Sequence, residues 1–569
     1  MTETTKVWQQ TYFLFGRGLG ASTILACLPI FTLLFLLGVL RKPAWIAGFS
    51  GLTVALALAV LGYGMPVKAA VSAAAYGGAF GLFPISWIIF WAIALFRVTV
   101  ETGKFEIIRD SLGRLTHDPR LQALLVAFSF GAFLEGGAGF GTPVAVAAAM
   151  LTGLGFPAFS AAAICLLANT APVAFGAIGI PVITLAGTTG LPLDKLSAKV
   201  SLLCSPAAML MPVYLIFAMG GVRALSGVWV PALATGIAFA GFQILVSSLI
   251  GPQLSAILAA MGSMAVLIAI LRIRHRNMNV EDISAEVAFA GAQGAGNSTS
   301  ATDHLLISED TAASEPAPPH TLGQILYAWV PYALLVGCVL CWGFAPIQRI
   351  LNKGSIFLAW PLLHDVVQLM PPVSAAPSPY HAVFAFNFFS AAGTACLVAT
   401  ILTAVCLGVS PLRFARIFYS VWRQLAIPIL TVSLVLGIGF LMNYSGATAT
   451  LGLAFASTGK LFPFFSPLLG LLGVFLTGSD TSSNALFGNL QVVTARHLGL
   501  DPILMAAANA SGGVMGKMIC VQTIAVAAAA TGLSNLEQAR LFRFTLKHSI
   551  LWGLVIGCLT LFYTYGLRL

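Results

Sequence analysis

Long apolar stretches alternate with short polar breaks along nearly the whole of this 569-residue chain. Ser22–Leu40, Ala44–Gly64, Gly81–Leu95, Val228–Ile250 and Ser255–Leu271 are free of charge and as long as a helix. Leu326–Ile347, Ala382–Val409, Leu425–Met442, Phe462–Gly478, Ile503–Met515 and Ile550–Thr564 follow in the second half. A helix needs ~20 mostly apolar residues to cross the hydrocarbon core of a bilayer. The pattern predicts an all-α polytopic membrane protein of roughly 12–14 spans, some of them broken or re-entrant.

Composition supports lipid as the solvent. Hydrophobic residues make up 59% of the chain and charged residues only 8%, against ~25% in soluble domains. The formal net charge of +10 would suggest nucleic acid in a soluble protein. Here the basic residues flank apolar runs: Arg41–Lys42, Arg97 to Arg120, Arg272–Arg274–Arg276, Arg413–Arg416–Arg423 and Arg540–Arg543–Lys547. That is the positive-inside pattern of cytoplasmic loops, and no nucleic-acid partner is expected. Parity of the first runs puts the N-terminus outside. Thr2 to Gly20 is mixed and polar, without a cleavable-signal pattern, so the first span is expected to target the chain. The nine cysteines are scattered, and Cys338 with Cys341 forms a CxxC within an apolar stretch, read as packing.

One segment breaks the pattern. Residues 277–320 carry seven acidic residues and no Lys or Arg, among Ala, Gly, Ser and Pro. Such a composition buries too little apolar area to fold alone, and it is read as a disordered acidic cytoplasmic linker between two membrane halves.

The halves resemble each other. Phe133-Leu134-Glu135-Gly136 matches Phe475-Leu476-Thr477-Gly478, Ala168-Asn169 matches Ala508-Asn509, and Thr189-Gly190-Leu191 matches Thr531-Gly532-Leu533. Pro84 falls opposite Pro428, and Gly155 near Gly499. The resulting organisation has N-terminal helices over 1–79, a first transport repeat over 80–191 and scaffold helices over 192–276. After the linker come scaffold helices over 321–423, a second repeat over 424–533 and a C-terminal helix over 534–569. Internal repeats are a common construction of secondary transporters, with substrate held near the midplane where helices are interrupted. Two interruptions match here, one at 135–143 and one at 477–484. They are expected to form hairpins meeting tip to tip, because non-helical backbone at membrane depth must be buried or line a cavity.

The candidate chemistry follows from the rarity of charge inside the repeats. Glu135 stands alone between Arg120 and Asp194, Asp480 between Lys460 and Arg496, and Lys517 between Asp501 and Glu537. An intramembrane ionisable residue is a functional candidate by default. Lys517 is expected to pair with a substrate carboxylate, aided by helix N-termini at the broken segments. Glu135 and Asp480 are expected to carry a coupling proton. Asn169, Thr170, Asn509, Gln522, Thr523, Ser482 and Asn484 offer neutral hydrogen bonds to substrate, with Gly139, Gly141 and Thr142 in the first hairpin loop. Tyr444 is a weaker candidate. His381, His497 and His548 read as isolated structural residues near loops. No metal spacing, nucleophile elbow or phosphate loop is evident, and no cofactor is expected.

The stretch Gly131-Ala132-Phe133-Leu134-Glu135-Gly136-Gly137-Ala138-Gly139-Phe140-Gly141-Thr142-Pro143 closely resembles a signature of the bacterial L-lactate permease family. So does Leu167-Ala168-Asn169-Thr170-Ala171-Pro172-Val173-Ala174-Phe175-Gly176, and 478–484 and 509–522 are similar to that family's second half. The resemblance implies a proton-coupled symporter of lactate, glycolate and related 2-hydroxy monocarboxylates in a bacterial inner membrane. It also implies that the two repeats are inverted, each with a re-entrant hairpin. Two rivals remain. Sodium coupling would use Asn169, Thr170, Ser482, Ser483 and Asn484 with loop carbonyls as a hard-cation cage. A membrane enzyme or receptor would need a catalytic cluster or a folded output domain, and the sequence offers neither. The oligomeric state is left open, with a homodimer as one reading.

Overall fold

A computed structural model of the chain describes residues 7–14, 18–40, 42–113, 115–116, 118–139, 142–277, 320–374 and 376–567. The acidic linker falls outside them except for its two ends. Among the described residues, ten helices are long and apolar enough to cross a membrane, or up to 12 when each of two bent pairs is counted as one span. That upper figure meets the lower end of the number expected.

Local sequence explains where these helices start. Thr321 and Gln324 form a reciprocal capping box at Leu322–Gly343, and Ser534 with Glu537 does the same at Asn535–Tyr565. Ser410, Ser479 and Asp501 cap Pro411–Ser445, Asp480–Leu498 and Pro502–Gly516 with their side-chain oxygens. The apolar run Ala382–Val409, counted among the helix-length stretches, divides. Its first part forms the strand Val383–Phe386, and the helix begins at Ala392. The physical reason is pairing: Val383–Phe386 lies antiparallel to Ile356–Ala359, which ties it to the loop before it. A second small sheet joins Trp8–Gln9 to Val367–Gln368 in parallel, and Gln368–Leu369 to Ser378–Pro379. The N-terminal segment and the 353–391 loop therefore share one face of the protein.

The bent pairs position the site. Ala158–Ala168 with Val173–Thr189 bends by 65°, and Pro502–Ile519 with Val521–Thr531 by 42°. They begin and end at the sequence spacing that relates the two halves. Around the second break the backbones nearly touch. A Cβ at Gly512 would lie 1.9 Å from Pro467 O, and one at Gly470 would lie 1.9 Å from Asn509 O. Without a hydrophobic drive between helices in lipid, small residues allow the close approach that makes packing and polar contacts strong.

Candidate functional site

Four charged side chains are buried among the described residues: Arg120, Glu135, Asp480 and Lys517. Arg120 is satisfied locally by Asp118 and the carbonyls of Ala224 and Ser226. The other three are the candidates picked from sequence, and the fold brings them within mutual electrostatic reach. Lys517 bears on the carboxyls of both Glu135 and Asp480. It makes no ion-pair contact with either.

Each of the three sits at an interruption. Asp480 opens the Asp480–Leu498 helix directly after Gly478, whose φ of 77° ends the Phe462–Thr477 helix. Lys517 lies in the tight turn Lys517–Ile519 after Pro502–Gly516, and its Nζ donates to Gly478 O at 2.8 Å. The ammonium thus sits at the negative end of one helix and the carboxylate at the positive end of the next, the favourable arrangement for both. Glu135 lies near the end of Gly131–Gly137, where the partial charge is negative. A glycine packs against each carboxyl. A Cβ on Gly176 would stand 2.8 Å from Glu135 Oε1, and one on Gly513 would stand 2.2 Å from Asp480 Oδ1.

Hydrogen bonding reaches one oxygen of the Asp480 carboxyl and leaves one oxygen of each carboxyl without a partner. Gln491 Nε2 donates to Asn509 Oδ1 at 3.1 Å, Asn509 Nδ2 to Asn484 Oδ1 at 2.9 Å, and Asn484 Nδ2 to Asp480 Oδ2 at 3.3 Å. This chain runs one way and ends on Asp480. Asn484 also donates to Pro181 O at 3.1 Å, and Asn443 donates to Thr188 O at 3.2 Å. Both bonds tie the second repeat to the first. Glu135 has Asn169 beside it, yet Glu135 Oε2 and Asn169 Nδ2 are buried without a hydrogen-bond partner. Asp480 Oδ1 is likewise unpartnered. A buried polar atom left in this state carries a cost of ~1–3 kcal/mol, which a proton or a bound ligand would relieve.

The remaining candidates divide. Gln522 joins the cluster: a Cβ on Gly478 would lie 2.5 Å from its Oε1, so Gln522 and Lys517 converge on the same residue. Its helix, Val521–Thr531, starts without a side-chain cap. Thr523 and Ser482 are buried nearby in sequence, and the Ser482 backbone N–H donates to the capping Ser479 Oγ. Gly139, at φ 60°, packs against Ala177, part of the left-handed run Ala177, Ile178 and Gly179 in the broken first-repeat helix. A non-glycine residue in this conformation costs ~1–2 kcal/mol, and such strain clusters at functional sites. Gly141 and the side chain of Thr142 lie outside the described residues.

Three of the oxygens weighed for sodium are engaged within the protein. Thr170 Oγ1 donates to Leu167 O, Ser483 Oγ to Gly470 O, and Asn484 Oδ1 accepts from Asn509. Tyr444 also lies elsewhere. Its hydroxyl donates to His381 O at 2.8 Å and its ring stacks on Tyr380. Two histidines read as isolated are in contact with polar partners. His548 Nδ1 lies 2.5 Å from Tyr214 Oη, and His381 Nδ1 lies 2.6 Å from Asp365 Oδ1. Sequence reasoning missed Gln491, which anchors the amide chain; a lone glutamine between Leu490 and Val492 was the available signal.

Replacing Gly513 by alanine is expected to push the Asp480 carboxyl aside. Such overpacking costs ~1–3 kcal/mol, so the variant should unfold at lower temperature and lose most transport. Thermal melts with uptake assays on the same preparation check both.

A family profile described as L-lactate permease matches residues 22–567. The L-lactate permease of Bacillus subtilis (strain 168) is 43% identical over 97% of this chain and 98% of its own length. The glycolate permease GlcA of Escherichia coli (strain K12) is 42% identical over 98% of each chain. The L-lactate permease of the same strain is 40% identical over 99% of each.

Proposed function

The chain belongs to the L-lactate permease family, a multi-pass inner-membrane permease and not an enzyme, and we propose that it carries lactate or glycolate inward together with one proton. The observation that carries the coupling is a buried lysine facing two buried carboxyls, none of them in a contact ion pair.

Charge balance gives the mechanism. An unbalanced charge in a low-dielectric interior is expensive. With Lys517 protonated and Asp480 ionised, these two charges balance, and Glu135 is the carboxyl left to titrate. A substrate carboxylate that takes up Lys517 brings a second negative charge. That charge is offset when Glu135 accepts a proton. One proton per monocarboxylate then leaves the empty and the loaded site at the same net charge, so loading adds no uncompensated charge to the crossing. Asp480, at a helix N-terminus and tied to Asn484, stays as the resident group. Glu135, at the negative end of its helix with an unpartnered oxygen, cycles the proton.

The substrate carboxylate meets Lys517 and the uncapped start of Val521–Thr531. Gln522, Thr523 and Asn169 lie in reach of a 2-hydroxyl. The spans 80–191 and 424–533 move as inverted repeats in one bundle, against the scaffold spans 192–276 and 321–423. Non-helical backbone at both breaks supplies the access path.

The test is uptake of labelled lactate and glycolate into proteoliposomes under an imposed inward proton gradient, in sodium-free buffer and with sodium. Accumulation without sodium is the expected result. A strict sodium requirement would overturn the proton coupling, and no uptake of either acid would overturn the substrate.

A further inference from the structure

The 353–391 loop holds a side-chain cluster that the transport site does not use. His364, Asp365 and His381 each offer one ligand atom, and these three atoms lie within 4.8 Å of one another. His364 Nε2 is 3.3 Å from Asp365 Oδ2, and His381 Nδ1 is 2.6 Å from Asp365 Oδ1. His364 and Asp365 come from one turn, and His381 from the segment just before the strand Val383–Phe386. Asp365 holds a positive φ of 59°, as does Leu362 at 60°. These are conformations that non-glycine residues adopt at a cost, and they persist where the surroundings over-determine them.

We propose that this cluster is a divalent transition-metal site of the two-histidine, one-carboxylate class, with zinc as the ion that fits best. Two imidazole nitrogens and a carboxylate oxygen form a donor set for zinc with a fourth position open to water. Zinc bonds to nitrogen and oxygen at ~2.0–2.2 Å, so ligand atoms of a tetrahedral site lie roughly 3.3 Å apart. His364 Nε2 lies 3.3 Å from Oδ2 of Asp365 and His381 Nδ1 lies 2.6 Å from Oδ1, so a rotation of the carboxylate and a parting of the two rings by roughly an ångström or less brings one oxygen and both nitrogens to tetrahedral spacing. The partial exposure of all three residues leaves the ion an entry path.

Binding carries a structural consequence. His364 Nδ1 accepts the Ala382 N–H at 3.1 Å. A metal on Nε2 leaves the ring proton on Nδ1, so that hydrogen bond is exchanged for the metal bond. The ion therefore cross-links the turn to residues 381–382 by a different route, directly above Tyr444, whose hydroxyl is bonded to His381 O. Tyr444 ends the same helix whose Asn443 donates to Thr188 of the first repeat. The site faces outward. Helices Leu322–Gly343 and Ala392–Cys406 flank this loop, and the basic residues Arg413, Arg416 and Arg423 follow the second of them on the opposite, cytoplasmic side.

The experiment is calorimetric titration of zinc chloride into tag-free, chelator-treated, detergent-purified full-length protein, with the His364→Ala and His381→Ala variants beside it. The expected result is one site per chain, weakened at least ~10-fold in each variant, since even the outer partners of a metal site typically cost that much when lost. No saturable binding by the wild-type protein overturns the proposal whether or not the variants fold. Binding that survives both substitutions also overturns it. Because the readout is binding and not uptake, failure here leaves the transport reading untouched, and failure of transport leaves this one.

Discussion

Lys517→Met is expected to abolish concentrative lactate uptake while leaving a folded protein. Methionine keeps most of the length of the side chain and removes the buried cation that bears on both carboxyls. Removing one partner of a buried, hydrogen-bonded charge pair costs ~2–5 kcal/mol, so initial uptake should fall ~10²-fold or more. Stability should change far less. The variant loses one hydrogen bond to Gly478 O, and both carboxyls escape their unbalanced charge by taking protons. The control is a melting curve on the same preparation. A well-folded methionine variant that accumulates lactate at the wild-type rate would remove the central assignment. Lys517→Arg makes a sharper comparison. It keeps the charge, but its larger planar head must fit beside the close packing at Gly513 and Gly516, so partial activity with a raised KM is expected.

The three charges were legible in the sequence because lipid makes charge scarce. In a chain with 8% charged residues, Glu135, Asp480 and Lys517 stand out by position alone. The breaks were legible in part: Gly478 and Ser479 do separate two helices, whereas residues 480–484 and Gly136–Gly137, expected in the loops, are helical. The polar chain was only half visible. Asn484 and Asn509 drew notice as a matched set, whereas their join through Gln491 depends on which helix faces meet. The small sheets could not be read. Val383–Phe386 is apolar in every position and forms a strand only because Ile356–Ala359, remote in sequence, lies beside it. The contact of His381 with Asp365 has the same origin. A loop brings together residues that no helical or strand period relates.

Glu135→Gln should separate exchange from accumulation. Glutamine has nearly the shape of a protonated glutamate and cannot release a proton, so the site is fixed in its loaded charge state. With Lys517 cationic and Asp480 ionised as in the wild type, a bound lactate meets the net charge of the loaded wild-type site and can still be carried. The variant is therefore expected to exchange lactate for lactate across proteoliposomes at a rate within ~10-fold of wild type, the span of 1.4 kcal/mol. It should fail to accumulate lactate under a proton gradient. The sign with pH follows: at fixed lactate, lowering external pH should accelerate wild-type net uptake and leave exchange by the variant unchanged. Asp480→Asn should behave differently. It removes the resident negative charge and leaves the lysine to be balanced by substrate alone, so lactate should bind more tightly and leave more slowly, lowering KM and kcat together. Should Asp480→Asn be the variant that exchanges without accumulating, the two carboxyls would trade roles. In that case the helix-end argument that assigns the moving proton to Glu135 would fall, while the charge balance around Lys517 would stand.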